Sequence, residues 1–112
     1  MSEGTIVHVE VVGKDQPALQ SFYSDLFGWE LDKDNQGGYG MYRQGELTGG
    51  IGATPDGSAG HVTFYVKVED PHAAITRAEA NGGSVVMPYA EVAPDVKFAL
   101  VADPEGHIVG IM

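Results

Sequence analysis

Two stretches of this chain carry the same signals in the same order, and that internal repeat limits its folds more than any single motif. The strand-like "TIVHVEVV" at residues 5–12 leads to Asp15, a helical stretch and the turn glycine Gly28. "GHVTFYVKV" at residues 60–68 leads to Asp70, a second helical stretch and the pair Gly82 and Gly83. The step from Asp15 to Gly28 equals that from Asp70 to Gly83, and a proline follows each Asp within two residues, as a helix N-cap and first turn require. His8 and His61 hold matching places in the leading strands. A duplicated supersecondary unit is the expected reading.

Periodicity fills in the unit. Leu19, Phe22, Tyr23, Leu26 and Phe27 recur at helical spacing and predict one apolar stripe that packs on a sheet. Val7, Val9 and Val11 alternate in the first strand, and Val62, Phe64, Val66 and Val68 in its counterpart, predicting their buried faces. The opposite faces then carry His8 with Glu10, and His61 with Thr63, Tyr65 and Lys67. Shorter strands are expected at Trp29–Leu31, Tyr39–Arg43 and Leu47–Ala53, and again at Val85–Tyr89, Lys97–Ala102 and His107–Met112. The chain thus reads as a single domain over residues 1–112: module one at 1–53, a turn-rich linker "TPDGSAG" at 54–60, and module two at 61–112. The fold class is α+β, two βαβββ modules forming a curved mixed sheet with helices on its outer face.

Charge and composition narrow the function. Sixteen acidic against six basic residues give a net charge of −10, which opposes binding to a nucleic-acid backbone or an anionic membrane surface. No apolar run approaches a membrane span and the N-terminus lacks a signal-peptide pattern, so a cytoplasmic location is expected. The absence of cysteine excludes disulfides, thiolate metal sites and cysteine nucleophiles. "GGYG" and "GGIG" do not extend to a phosphate-binding fingerprint, and no GxSxG elbow occurs.

The repeated strand-helix-three-strand unit, with "FYSDLFGWEL" in the first half and "LVADPEGHIVGI" in the second, resembles the vicinal oxygen chelate superfamily. That superfamily includes glyoxalases, bleomycin-resistance proteins, extradiol dioxygenases and methylmalonyl-CoA epimerases. The resemblance implies a funnel with metal ligands on the first and fourth strands of each module. By position the first-strand ligands correspond to His8 and His61, while the fourth-strand carboxylate positions fall at Gly50 and Gly110. Two imidazoles fall short of a zinc site, which uses about three protein ligands, and no carboxylate stands where glyoxalase proton transfer needs one. Glu10 shares a face with His8 and is the substitute third ligand for a divalent ion such as Zn, Fe, Mn or Ni; Glu46 is a weaker one. Strand-face histidines most often serve as plain hydrogen-bonding residues, and an acidic chain carries many solvated glutamates. His72 and His107 read as surface residues.

The glycines predict an open funnel floor, with Tyr65, Thr63, Gly50 and Gly110 lining a cavity for a bulky planar or apolar molecule. Of Trp29, Tyr39, Tyr65 and Tyr89, strand parity points only Tyr65 into that cavity. The expected function is binding of a small organic molecule without standard glyoxalase chemistry. A divalent-metal lyase, isomerase or dioxygenase using His8 and His61 is the alternative, as is a protein-association domain with a vestigial metal site. Whether the chain is catalytic stays open. The resemblance also implies a homodimer, in which pairing covers sheet edges.

Overall fold

The computed structural model describes residues 4–112. Among them are seven strands and two helices: β1 (Thr5–Gly13), α1 (Gln16–Phe27), β2 (Gly40–Gln44), β3 (Leu47–Ala53), β4 (His61–Lys67), α2 (Pro71–Ala80), β5 (Ser84–Ala93), β6 (Val96–Ala102) and β7 (Ile108–Ile111). Strand pairing is mixed and the class is α+β, as expected. Two compact units divide the chain, one spanning His8–Val62 and the other comprising Thr63–Met112 with the start of β1.

In the unit spanning His8–Val62 the strands lie in the order β2-β3-β1. β1 runs parallel to β3 with His8 opposite Thr48 and Glu10 opposite Gly50, and β2 is antiparallel to β3. The strand expected at Trp29–Leu31 is absent; a lone bridge joins Asp32 to Met41 instead. Trp29 is drawn into an aromatic stack, its ring 4.2 Å from Tyr42 and 4.9 Å from Phe27, and Tyr42 in turn lies against Gly49. Stacking of this kind secures the segment through side chains rather than through a ladder of backbone hydrogen bonds.

Both helices begin as the sequence dictates. The Asp15 carboxylate accepts from the Ala18 N–H at 3.1 Å, and the Asp70 carboxylate from the Ala73 N–H at 3.1 Å. Gly28 ends α1 in the left-handed conformation at φ 73°, where a side chain would be strained. The buried face of α1 differs from the expected stripe. Gln20 is its buried residue, its amide donating at 2.9 Å to the carbonyls of both Gly38 and Ile51, while Phe22, Leu26 and Phe27 are each more than half exposed. Burial of an amide is tolerable only because both donors are satisfied by backbone acceptors. The helix turns this polar edge toward the glycine-rich β3 and leaves part of its apolar stripe outward.

In the second unit the order is β4-β7-β6-β5, with β4 parallel to β7 and the remaining pairs antiparallel. Here the structure reverses the expected burial of β4. Thr63 and Tyr65 are buried, whereas Val62 and Phe64 are exposed, Val62 by 74%. Within this unit α2 packs chiefly on β5, β6 and β7 rather than on β4. Ala99, Val101 and Ile111 complete the core of this unit with Tyr65. The "DPEGH" turn before β7 is held by Asp103, whose carboxylate accepts from the N–H groups of Glu105 and His107, each at 2.9 Å. Those donors hold the Asp103 carboxyl below its usual range.

Ile51 is fully buried in the His8–Val62 unit and is its largest such side chain. Ile51→Ala should cost about 2–5 kcal/mol, read as a lower urea midpoint with an unchanged denaturant slope. A loss under ~0.5 kcal/mol would show that the unit does not depend on packing between α1 and β3.

Candidate functional site

Parallel register fixes which side chains share a face. With His8 opposite Thr48 and Glu10 opposite Gly50, the face away from α1 carries His8, Glu10 and Thr48 together with the two small positions Gly50 and Gly52. Tyr39, just before β2, lays its ring across those glycines. A Cβ at Gly50 would overlap the phenol, and one at Gly52 would press on the ring edge. Asn35 sets the backbone of Tyr39 for this, since its amide donates to the Tyr39 carbonyl at 2.7 Å and accepts from the Tyr39 N–H at 3.0 Å.

A continuous polar chain results. The Tyr39 hydroxyl donates to Glu10 Oε1 at 2.9 Å. Its one proton is then committed, so the phenol oxygen accepts from His8 Nε2–H at 3.0 Å. His8 Nδ1, the remaining ring nitrogen, takes the Thr48 hydroxyl proton at 2.6 Å. Every donor in the series Thr48, His8, Tyr39, Glu10 points toward the carboxylate, an arrangement in which successive hydrogen bonds reinforce one another. Burial pushes the His8 pKa below its ordinary value, and the nearby Glu10 charge opposes that shift without overcoming it. His8 is accordingly the neutral, Nε2-protonated imidazole. On the other side of Glu10, Oε2 lies 3.5 Å from His61 Nε2, a buried nitrogen that makes no hydrogen bond.

The expected residues His8, Glu10 and His61 are thus brought together, and the sequence missed the two that join them, Tyr39 and Thr48. The signal for Tyr39 was present: alternate glycines in β3 leave a strip of bare backbone, and such a strip accepts an aromatic ring from a neighbouring segment. The open floor expected at Gly50 does not exist, because Tyr39 fills it. In the other unit Gly110 is likewise covered, by the ring of Tyr65, which pairs with it across β4 and β7 and meets Phe98 edge-on at 5.0 Å. Thr63 is buried and donates to the Ile108 carbonyl. Tyr65, Thr63 and Gly110 are therefore packing residues of their own unit rather than the lining of an empty cavity. Glu46 is exposed in the β2–β3 turn, and His72 and His107 are exposed on the surface.

A depression also lies on the opposite, helix-bearing face of this unit. It is an open apolar groove of about 670 Å³ whose lining includes Val11, Ala18, Leu19, Phe22, Tyr23 and Val62.

The metal implied by the superfamily resemblance does not fit the polar cluster as arranged. Among the described residues no group of three His, Asp or Glu side chains is placed to hold an ion. Both ring nitrogens of His8 are engaged, and the spacings about the Tyr39 oxygen are those of hydrogen bonds near 3 Å rather than coordination near 2 Å.

A mixed-sheet α+β fold with this polar strand face defines a glyoxalase-type domain, and comparison with known proteins agrees. The chain belongs to the glyoxalase-like domain family, whose model matches residues 8–112. It is 32% identical over 119 residues to the putative glyoxylase CFP32 of Mycobacterium bovis, covering 97% of this chain but only 45% of that protein. The chain therefore spans less than half the length of this relative. A glyoxylase-like domain-containing protein of Didymella fabae is 28% identical, with 93% and 89% of the two chains covered. Among solved structures, a glyoxalase/bleomycin resistance protein/dioxygenase superfamily member from Vibrio splendidus 12B01 matches with a TM-score of 0.66 at 19% identity, covering 96% of this chain and 97% of that one. Methylmalonyl-CoA epimerase from Mycobacterium tuberculosis matches at 0.64 and 16% identity, with 95% and 85% covered. These structural likenesses establish the fold. No helix among the described residues is long and apolar enough to cross a membrane.

The neutral state of His8 gives a signed pH dependence. Its folded pKa lies below the unfolded value near 6.5, so above that pH neither state binds the proton and no stability is lost. As pH falls below ~6.5 the unfolded chain protonates first, and folding weakens. Urea unfolding of wild type and His8→Asn at pH 7.5 and 5.5 should show the larger acid loss in wild type. Equal losses would mean that His8 is not held neutral.

Proposed function

We propose that this chain binds a small organic molecule at the polar cluster of Tyr39, Glu10 and His61, without standard glyoxalase chemistry. The observation that carries this reading is the one-directional hydrogen-bond chain ending on Glu10, with the His61 nitrogen beside it lacking a hydrogen bond. A carboxylate at the end of such a chain accepts donors, and a net charge of −10 favours cations over anions. The ligand class is therefore a compact organic cation or an N–H-bearing molecule. The glycines at positions 50 and 110 offer no carboxylate for the proton transfer a glyoxalase performs. A divalent-metal enzyme built on His8 and His61 is less supported, because His8 has no ring nitrogen to offer while the chain is intact.

A different observation favours a second reading, association with another copy of the chain. Phe22, Leu26, Phe27 and Val62 are exposed together with an apolar groove too open to enclose a small ligand. Apolar surface of that kind marks interaction sites, and self-pairing is the commonest way to cover it.

Thermal shift separates the two. Aromatic amines and other cationic, antibiotic-like compounds should raise the melting temperature with concentration, stabilising by about 2.7 kcal/mol at a hundredfold excess over Kd, and Glu10→Gln should abolish the effect. Anionic thioesters should do nothing. No response to any cation, or an equal response in Glu10→Gln, would overturn the binding reading. For association, light scattering should give twice the chain mass for wild type and a single chain for Phe22→Glu. A monomeric wild type would end that reading and leave the first untouched.

A further inference from the structure

We infer that Asn81 is a self-modifying site: its side-chain amide is lost to attack by the Gly82 backbone nitrogen, and that loss unlatches the C-terminal end of α2. This goes beyond ligand binding and stands whether or not a small molecule occupies the polar cluster.

The pair is chemically suited to this. Asn81 and Gly82 are both exposed, and Gly82 has no side chain to hinder the approach of its nitrogen to the Asn81 carboxamide carbon. In the first step Gly82 N bonds to Asn81 Cγ, the Cγ–Nδ2 bond breaks, and the Gly82 proton leaves with the amide as ammonia. Water then opens the resulting five-membered succinimide at either carbonyl, giving aspartate or isoaspartate. Water is the only co-reactant, and no electrons are exchanged. Asparagine is a thermolabile residue for this reason. The chain's other asparagine, Asn35, precedes Gln36 rather than a glycine, and two hydrogen bonds to the Tyr39 backbone hold its amide.

The fold sets when the reaction can happen. Asn81 closes α2: its Nδ2 donates to the Arg77 carbonyl at 2.7 Å, and its N–H is shared between the Arg77 and Ala78 carbonyls, each at 3.1 Å. At ψ 23° the Gly82 nitrogen is not eclipsed with Cβ across the Cα–C bond, as ring closure requires. The last turn must therefore open first. Gly82 is its loose point, since its N–H reaches the Glu79 carbonyl only at 3.5 Å. Afterwards the latch cannot re-form. A carboxylate has no proton to give the Arg77 carbonyl, and its charge lies at the helix end where the macrodipole opposes it. Isoaspartate also lengthens the main chain by one carbon just before Gly83, which is packed so closely that a Cβ there would overlap the Ala102 carbonyl oxygen.

Peptide mapping of wild type aged in mildly alkaline, oxygen-18-labelled water tests the reaction. Asn81 should convert to aspartate and isoaspartate, each carrying one heavy oxygen, while Asn35 stays intact. In concentrated urea, with the cap open, conversion should run about tenfold faster, the effect of one or two cap hydrogen bonds. An intact Asn81 in the folded protein, Asn35 converting as fast, or equal rates in the two media would overturn the inference. Unlatching is read by amide exchange at Gly83, whose N–H donates to the Ala78 carbonyl at 2.8 Å. Exchange there should be faster in Asn81→Asp than in wild type, with a lower melting temperature, and unchanged exchange would refute the unlatching. Should Asn81→Asp fail to fold, the converted fraction of aged wild type, separated by its extra negative charge, gives the same comparison.

Discussion

Tyr39 resting on the bare backbone of Gly50 and Gly52 is the contact from which the rest of the polar face follows. A half-buried phenol needs a partner for its hydroxyl, and here it finds two, accepting from His8 and donating to Glu10. Those bonds decide the tautomer of His8, and the tautomer decides that Thr48 donates to Nδ1. One ring placement therefore orders four side chains without any of them being covalently or sterically forced.

The same pairing of glycine with an aromatic ring occurs in the second unit, where Tyr65 covers Gly110. Its consequence differs. Tyr65 is a strand residue packed edge-on to Phe98 inside its own core, whereas Tyr39 arrives from a loop and brings a hydroxyl into a set of ionisable groups. Repeats of one supersecondary unit keep the packing logic while their chemistry diverges, because packing asks only for volume and chemistry asks for an atom at a place.

Helix α1 carries the opposite lesson. Its apolar stripe is what an amphipathic helix needs to dock on a sheet, yet a pair of amide hydrogen bonds from Gln20 sets its rotation. Gln20 is buried with its amide satisfied by two backbone carbonyls, while Phe22, Leu26 and Phe27 stay more than half exposed. Of these exposed side chains Phe22, with Leu19 and Tyr23, lines the apolar groove on the helix-bearing face.

The sequence by itself determined the repeat, the α+β class, both helix starts at Asp15 and Asp70, the bounds of β3, and the facing of His8 and Glu10. Apart from the repeat, each is local, because caps and alternation act over a few residues. It did not determine that Trp29–Leu31 forgoes a strand, that β4 exposes Val62 while burying Thr63 and Tyr65, or that Gly50 lies beneath a tyrosine from another segment. Those depend on which helix lies over which strand and on which distant ring fills a bare strip of backbone. A glycine reads in sequence as empty space. Only the folded chain shows whether that space is left open or filled, and here a phenol that filled it also set the protonation of the histidine beside it.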